Sequence, residues 1–173
     1  DGEQTPGVSL APEEKVEIAL LLDELGVDVL EVGFPAASTG ERKAVSRIAE
    51  QGLKAEVCAL ARALKQEIDL ALKCEVDSVH TFISTSEVQM KYALGKTPEE
   101  VVEMAVESVE YIKDHGLVCE FSPMDATRTE LGFLKKVCKA AEEAHADRIN
   151  IPDTVGIMTP NRMRELIQEV CSV

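Results

Sequence analysis

The chain contains no tryptophan, and aromatic residues make up only 3% of it. The stacking platforms on which single-stranded nucleic acids are bound are therefore missing. Basic residues are also scarce: 18 Lys and Arg stand against 32 Asp and Glu, a formal net charge of −14. Such a surface repels phosphate backbones and anionic lipid, so neither nucleic acid nor membrane is expected as a partner. No apolar run approaches the roughly 18 residues of a membrane span, no signal peptide is visible, and the cytoplasm is the expected compartment. The cysteines (Cys58, Cys74, Cys119, Cys138 and Cys171) form no Cys-x-x-Cys pair. They read as reduced structural thiols rather than a zinc or disulfide framework. Neither GxGxxG nor GxxxxGK[ST] occurs, which counts against a doubly wound open sheet with its usual phosphate turn.

What the chain does have is alternation. Apolar, β-branched-rich strand candidates lie at 28–34, 54–60, 78–84, 117–122 and 148–153, and each is followed by a helix-like stretch. Pro12-Glu13-Glu14 opens a first helix that Gly26 stops, and Thr97-Pro98-Glu99-Glu100 has capping-box spacing. Strand-helix alternation implies parallel pairing, and the predicted fold class is α/β, a (β/α)8 TIM barrel. A complete barrel takes about 250 residues; residues 1–173 are expected to form a partial catalytic barrel domain of about five βα units, with the first strand and the last strands missing. The opening Asp1-Gly2-Glu3-Gln4, without an initiating Met, is read in the same sense.

In a parallel barrel the C-terminal strand ends converge on one face. Glu31, His80, Ser122, Asn150 and Thr154 lie in or just after the strand candidates and are expected to share one site there. Glu31 is a carboxylate in an apolar run, so it faces the mouth or needs a partner. His80 is a titratable group in a β-branched run; it is either a satisfied core residue or functional. Ser122 and Asn150 are neutral groups able to orient a carboxylate or hydroxyl. Thr154 precedes a Gly-containing turn, where a hydroxyl and adjacent amide can hold an anion. Arg128 is either a cation at the same mouth or is neutralised by flanking acids, and Arg62 is similarly open.

Five segments occur in order: Asp1-Gly2-Glu3-Gln4-Thr5-Pro6-Gly7, Leu30-Glu31-Val32-Gly33-Phe34-Pro35, His80-Thr81-Phe82-Ile83-Ser84-Thr85-Ser86, Phe121-Ser122-Pro123-x-Asp125-Ala126-x-Arg128-Thr129 and Asn150-Ile151-Pro152-Asp153-Thr154-Val155-Gly156. Together they resemble the α-isopropylmalate, citramalate and homocitrate synthase family, metal-dependent barrel acyltransferases related to HMG-CoA lyase. The resemblance implies a Claisen-type condensation of acetyl-CoA with an α-keto acid, assisted by a divalent metal (Mg, Mn or Zn) acting as a Lewis acid. By motif, it makes Asp1 a metal ligand and Glu31 a carboxylate that organises the metal shell. It gives Glu31 and His80 catalytic roles, and sets His80, Ser122, Asn150 and Thr154 around the keto acid, Thr154 near its carboxylate.

The chain departs from that pattern. The family's Arg before Asp1 and its His-x-His metal pair are not in this sequence, and Met124 stands where the family usually carries Glu. Whether Met124 marks a divergent substrate, a weakened enzyme or a sequence error stays open. The expected keto acid is 2-oxoisovalerate, giving 2-isopropylmalate on the route to leucine, with pyruvate, giving citramalate, next. Glu120, two residues before Ser122, counts against homocitrate synthase, where a basic residue is expected. The alternatives are a carbon-carbon lyase of the HMG-CoA lyase type and an inert truncated barrel that pairs its edges with another copy. A homodimer is expected for the whole enzyme.

Overall fold

The computed structural model describes residues 6–172. The elements are α1 (Pro12–Leu25), β1 (Val29–Gly33), α2 (Thr39–Ala49), β2 (Glu56–Arg62), α3 (Lys65–Leu72), β3 (Ser78–Ser84), α4 (Glu87–Gln89), α5 (Pro98–Asp114), β4 (Val118–Met124), α6 (Leu131–Glu143), β5 (Arg148–Ile149) and α7 (Pro160–Val170). The predicted α/β alternation is what the backbone adopts. Strand order follows chain order, β1-β2-β3-β4-β5, and the pairs β1–β2 and β4–β5 are parallel. The described residues divide within β3 into two compact units, one ending at His80 and one starting at Thr81.

In the first unit, α1 begins where the sequence predicts. The Glu14 carboxylate accepts from the Ala11 N–H at 2.6 Å, Pro12 occupies the first turn, and Gly26 ends the helix at φ 87°. The second strand starts at Glu56 rather than at the expected residue 54. Asp23 is the reason: its Oδ1 accepts from the N–H groups of both Lys54 and Ala55 at 2.8 Å. Those two donors are thereby removed from any ladder. Leu30, Val32, Val45, Ile48, Val57, Ala59, Ile68 and Val79 form the buried side of this unit.

In the second unit, α5 carries the predicted capping box. Thr97 Oγ1 accepts from the Glu100 N–H at 3.3 Å while Glu100 accepts from the Thr97 N–H at 2.8 Å. Ser86 caps α4, and the chain then winds through a single π-helical turn, Met90–Leu94. β5 is two residues long, where the sequence suggested six. Pro152 has no N–H to give a ladder, although the Asn150 N–H still reaches the Phe121 carbonyl at 2.9 Å. Ala126, Leu134 and Cys138 are packed with Ile149, Ile151, Leu166 and Val170.

A repeated device sets strand starts in both units. Gly26-Val27-Asp28, Glu75-Val76-Asp77 and His145-Ala146-Asp147 each begin with a residue at positive φ (87°, 58° and 72°) and end on an aspartate beside a strand. Asp77 grips both backbone groups of Val57: its N–H donates to the Val57 carbonyl at 3.0 Å, and its Oδ2 accepts from the Val57 N–H at 2.8 Å. Asp147 does the same to Cys119, at 2.9 and 2.7 Å. Each clamp ties the start of one strand to the neighbour already laid down. Asp77 and Asp147 lie just outside the strand candidates, because Asp is a poor strand former and reads as loop punctuation.

Glu75 and His145 occupy left-handed positions that favour glycine. His145 is exposed, so removing its side chain loses little packing. His145→Gly is expected to stabilise the protein by about 1 kcal/mol, read as a higher urea midpoint at unchanged slope. A lower midpoint would show that the imidazole contributes more than the backbone strain costs.

Candidate functional site

Glu31 and His80, each expected to have a catalytic role, come together in the first unit. Glu31 Oε2 lies 2.5 Å from His80 Nδ1. Glu31 is placed by an irregularity at the end of β1: it pairs with Cys58, the ladder then skips Val32, and Gly33 pairs with Ala59. Gly33 has φ 150°, and a Cβ there would sit 2.0 Å from Glu41 Oε1. That close approach lets Glu41 accept from the Phe34 N–H at 3.2 Å while its other oxygen accepts from the buried Lys15 ammonium at 2.7 Å. The strand end bearing Glu31 is thus pinned by α1 and α2. The hydrogen bond from His80 holds the Glu31 carboxyl below its ordinary range, against the opposing effect of partial burial.

Ser122, Asn150 and Thr154 lie in the second unit. Side chains alternate along a strand, and one face of β4 carries Glu120, Ser122 and Met124. Glu120 is directly opposite Arg148 on β5, and the Arg148 Nε donates to Glu120 Oε2 at 3.0 Å. One step on, Asn150 Nδ2 donates to Ser122 Oγ at 2.9 Å. These are two polar rungs in register, and Met124 is the next position in the row. Its carbonyl is occupied by the Thr85 N–H at 3.0 Å.

Thr154 does not stand alone either, since its Oγ1 accepts from the Asp125 N–H at 3.0 Å. Asp125 is the residue that sequence reasoning passed over. Its side chain is fully buried, and its φ is 67°. Arg128 donates to it three times, Nε to Oδ1 at 2.8 Å and to Oδ2 at 3.0 Å, and Nη2 to Oδ2 at 2.6 Å, while the Ser86 hydroxyl donates at 2.5 Å. Burial pushes the Asp125 carboxyl up, but the Arg128 and Ser86 hydrogen bonds outweigh it and hold the pKa below normal. Arg128 is therefore a structural partner of an acid. Arg62 resolves the same way, its Nε donating to Glu67 Oε1 at 2.8 Å. The i, i+3 spacing of Asp125 and Arg128 was the available signal.

Asp1, the predicted metal ligand, lies outside the described residues. Among those residues, no three His, Cys, Asp or Glu side chains gather into a group able to hold a metal ion. A divalent cation would therefore draw at least part of its ligand set from outside these residues. Among the described residues, no helix is long and apolar enough to cross a membrane.

The HMGL-like family matches residues 1–173. The 2-isopropylmalate synthase of Methanocaldococcus jannaschii is 56% identical over 170 residues, 98% of this chain and 33% of that protein. The homocitrate synthase AksA of Methanopyrus kandleri is 54% identical over 173 residues, covering 100% and 44%. The (R)-citramalate synthase CimA of Methanocaldococcus jannaschii is 52% identical over 170 residues, covering 98% and 35%. The chain thus spans about a third to under half the length of these relatives. Among solved structures, the hydroxymethylglutaryl-CoA lyase of Pseudomonas aeruginosa superposes with a TM-score of 0.81 at 22% identity, over 99% of this chain and 61% of that one. That likeness shows a shared α/β fold, that of the barrel lyases, represented here by five βα units.

The Glu31–His80 pair has a defined pH signature. A carboxylate with a depressed folded pKa contributes stability above its unfolded pKa and loses it as pH falls through the folded value. The Glu31 carboxyl is expected to titrate below the ordinary glutamate value by carbon-detected NMR, and to return toward it in His80→Ala. An unmoved titration in that variant would dissolve the pair.

Proposed function

The chain belongs to the HMGL-like family, and from that membership we propose that the protein carrying it is an acyltransferase condensing acetyl-CoA with an α-keto acid. The observation that carries the reading is that relatives named for 2-isopropylmalate, homocitrate and citramalate synthesis all match at 52–56% identity over nearly the whole chain. Each named product is a 2-hydroxy acid formed by adding an acetyl carbon to a keto carbon. The leading substrate is 2-oxoisovalerate, giving 2-isopropylmalate in leucine biosynthesis. Pyruvate, giving citramalate, is second.

The chemistry needs a proton taken from the acetyl methyl, attack of the resulting carbon on the keto carbonyl, and hydrolysis of the thioester to release CoA. Glu31 and His80 supply a carboxylate–imidazole couple that can hold and pass one proton at Nδ1. His80 is also proposed to face the keto acid. Ser122 and Asn150, already aligned by their mutual hydrogen bond, are proposed to orient its oxygens, and Thr154 its carboxylate. Asp1 is proposed as a ligand of a divalent metal, which when bound supplies a Lewis acid for the keto oxygen. The cytoplasm and a homodimer complete the proposal.

The test is a thiol-trapping assay on the full-length protein with acetyl-CoA and Mg²⁺ or Mn²⁺, run across 2-oxoisovalerate, pyruvate and 2-oxoglutarate. Free CoA is expected to appear only with a keto acid present, fastest with 2-oxoisovalerate. No release with any of the three would end the acyltransferase reading.

Met124 allows a second test. It continues the row of Ser122 on β4, where a carboxylate would be able to accept a proton or orient water and a thioether cannot. If Met124 is a lesion, Met124→Glu is expected to raise kcat by about a hundredfold, the low end of what one positioned acid–base group contributes. Unchanged or lower turnover would mark Met124 as a specialisation.

A further inference from the structure

We propose that Asp125 is a positioning residue that aims the Thr154 hydroxyl, so that Thr154 donates its proton to the carboxylate of the bound keto acid. The proposal deepens the acyltransferase reading and rests on it, because it takes Thr154 as a substrate contact.

A threonine hydroxyl carries one hydrogen and two acceptor lone pairs. Thr154 Oγ1 accepts from the Asp125 N–H at 3.0 Å. An amide has no lone pair to receive the hydroxyl proton in return, so that proton is directed to a different group. Thr154 is exposed, and a hydroxyl fixed in this sense is a donor for an anionic or carbonyl acceptor.

The aim is only as good as the direction of the Asp125 N–H, and that backbone is held on every side. Its φ of 67° is a left-handed conformation that Asp tolerates better than most side chains. Its carbonyl accepts from the Arg128 N–H at 3.1 Å and from Thr129 Oγ1 at 3.0 Å. Its carboxylate is fully buried, and burial of a charge is tolerated only when donors match it. Arg128 and Ser86 supply four such bonds. The facing loop is held as well. Thr127 Oγ1 donates to Asp153 Oδ1 at 3.0 Å, and Asp153 accepts from the N–H groups of Ile157 at 3.2 Å and Met158 at 2.9 Å. The turn after β4 and the loop after β5 are thus clasped at two adjacent points, one of which is the Thr154 hydroxyl.

The experiment compares Asp125→Ala, Asp125→Asn and Thr154→Val in the full-length protein, measuring KM for 2-oxoisovalerate and for acetyl-CoA separately. Asp125→Ala is expected to raise the keto-acid KM about tenfold, the weight of one well-aimed hydrogen bond, with the acetyl-CoA KM moved by less than about twofold. Asn tolerates the left-handed backbone and keeps one acceptor oxygen, so Asp125→Asn is expected to recover most of that loss. In the Thr154→Val background, Asp125→Ala is expected to add less than about twofold, the non-additivity of residues acting through one contact. An equal rise in both KM values, or additive effects, would reduce Asp125 to a general structural role and overturn the proposal. If Thr154→Val raises the keto-acid KM but neither Asp125 variant does, the acyltransferase reading stands and only this proposal fails. If Thr154→Val leaves the keto-acid KM unchanged, the substrate role of Thr154 fails and takes the proposal with it. Should Asp125→Ala not fold, Arg128→Lys gives the same KM split, expected at about threefold, and amide hydrogen exchange across residues 153–158 gives a readout besides activity. Faster exchange there supports the clasp, and unchanged exchange overturns it.

Discussion

Register governs everything functional in this chain. A parallel strand displaced by one residue turns every polar side chain to the opposite face, so the chemistry depends on whatever prevents that slip. Here the guard is an aspartate just before the strand, gripping both the N–H and the C=O of one residue on the preceding strand, as Asp77 does with Val57 and Asp147 with Cys119. A two-point grip on a single residue admits one register. It sets His80 three residues past Asp77, and Asn150 three residues past Asp147, on the faces they occupy. Within the first unit that face brings His80 to Glu31, and within the second it brings Asn150 to Ser122.

The same economy of backbone explains how an acidic chain tolerates its acids. Of the carboxylates discussed, few are left to water alone. Asp23 receives the amides ahead of β2, Glu41 receives the Phe34 amide and the Lys15 ammonium, and Asp125 receives Arg128 and Ser86. A buried carboxylate without such donors would be far too costly to keep ionised. The negative charge of the chain is in this sense partly structural, with carboxylates serving as caps for backbone groups at turns and strand starts.

Much of this was readable beforehand, and the misreadings are informative. The alternation of elements, the caps at Pro12 and Thr97, and the candidates Glu31, His80, Ser122, Asn150 and Thr154 follow from local pattern and motif. Strand limits did not follow. β2 starts late because Asp23, more than thirty positions away, takes its first amides, and β5 is short because Pro152 interrupts the ladder. Arg128 was left between two readings, and the fully buried carboxylate of Asp125 decides it. Asp125 itself was hidden by its surroundings, since an acid in a polar turn looks solvated unless its burial is known.

The sequence by itself determined the α/β class, the family and the identity of the polar residues that punctuate each strand, because periodicity, capping and motif order are local properties written in neighbouring residues. Tertiary structure alone decided which of those residues are partners. Glu31 with His80, Ser122 with Asn150, and Asp125 with Arg128, Ser86 and Thr154 are pairings across strands and turns. Hydrogen-bond direction and burial exist only once the chain has brought distant backbone segments within about 3 Å of each other.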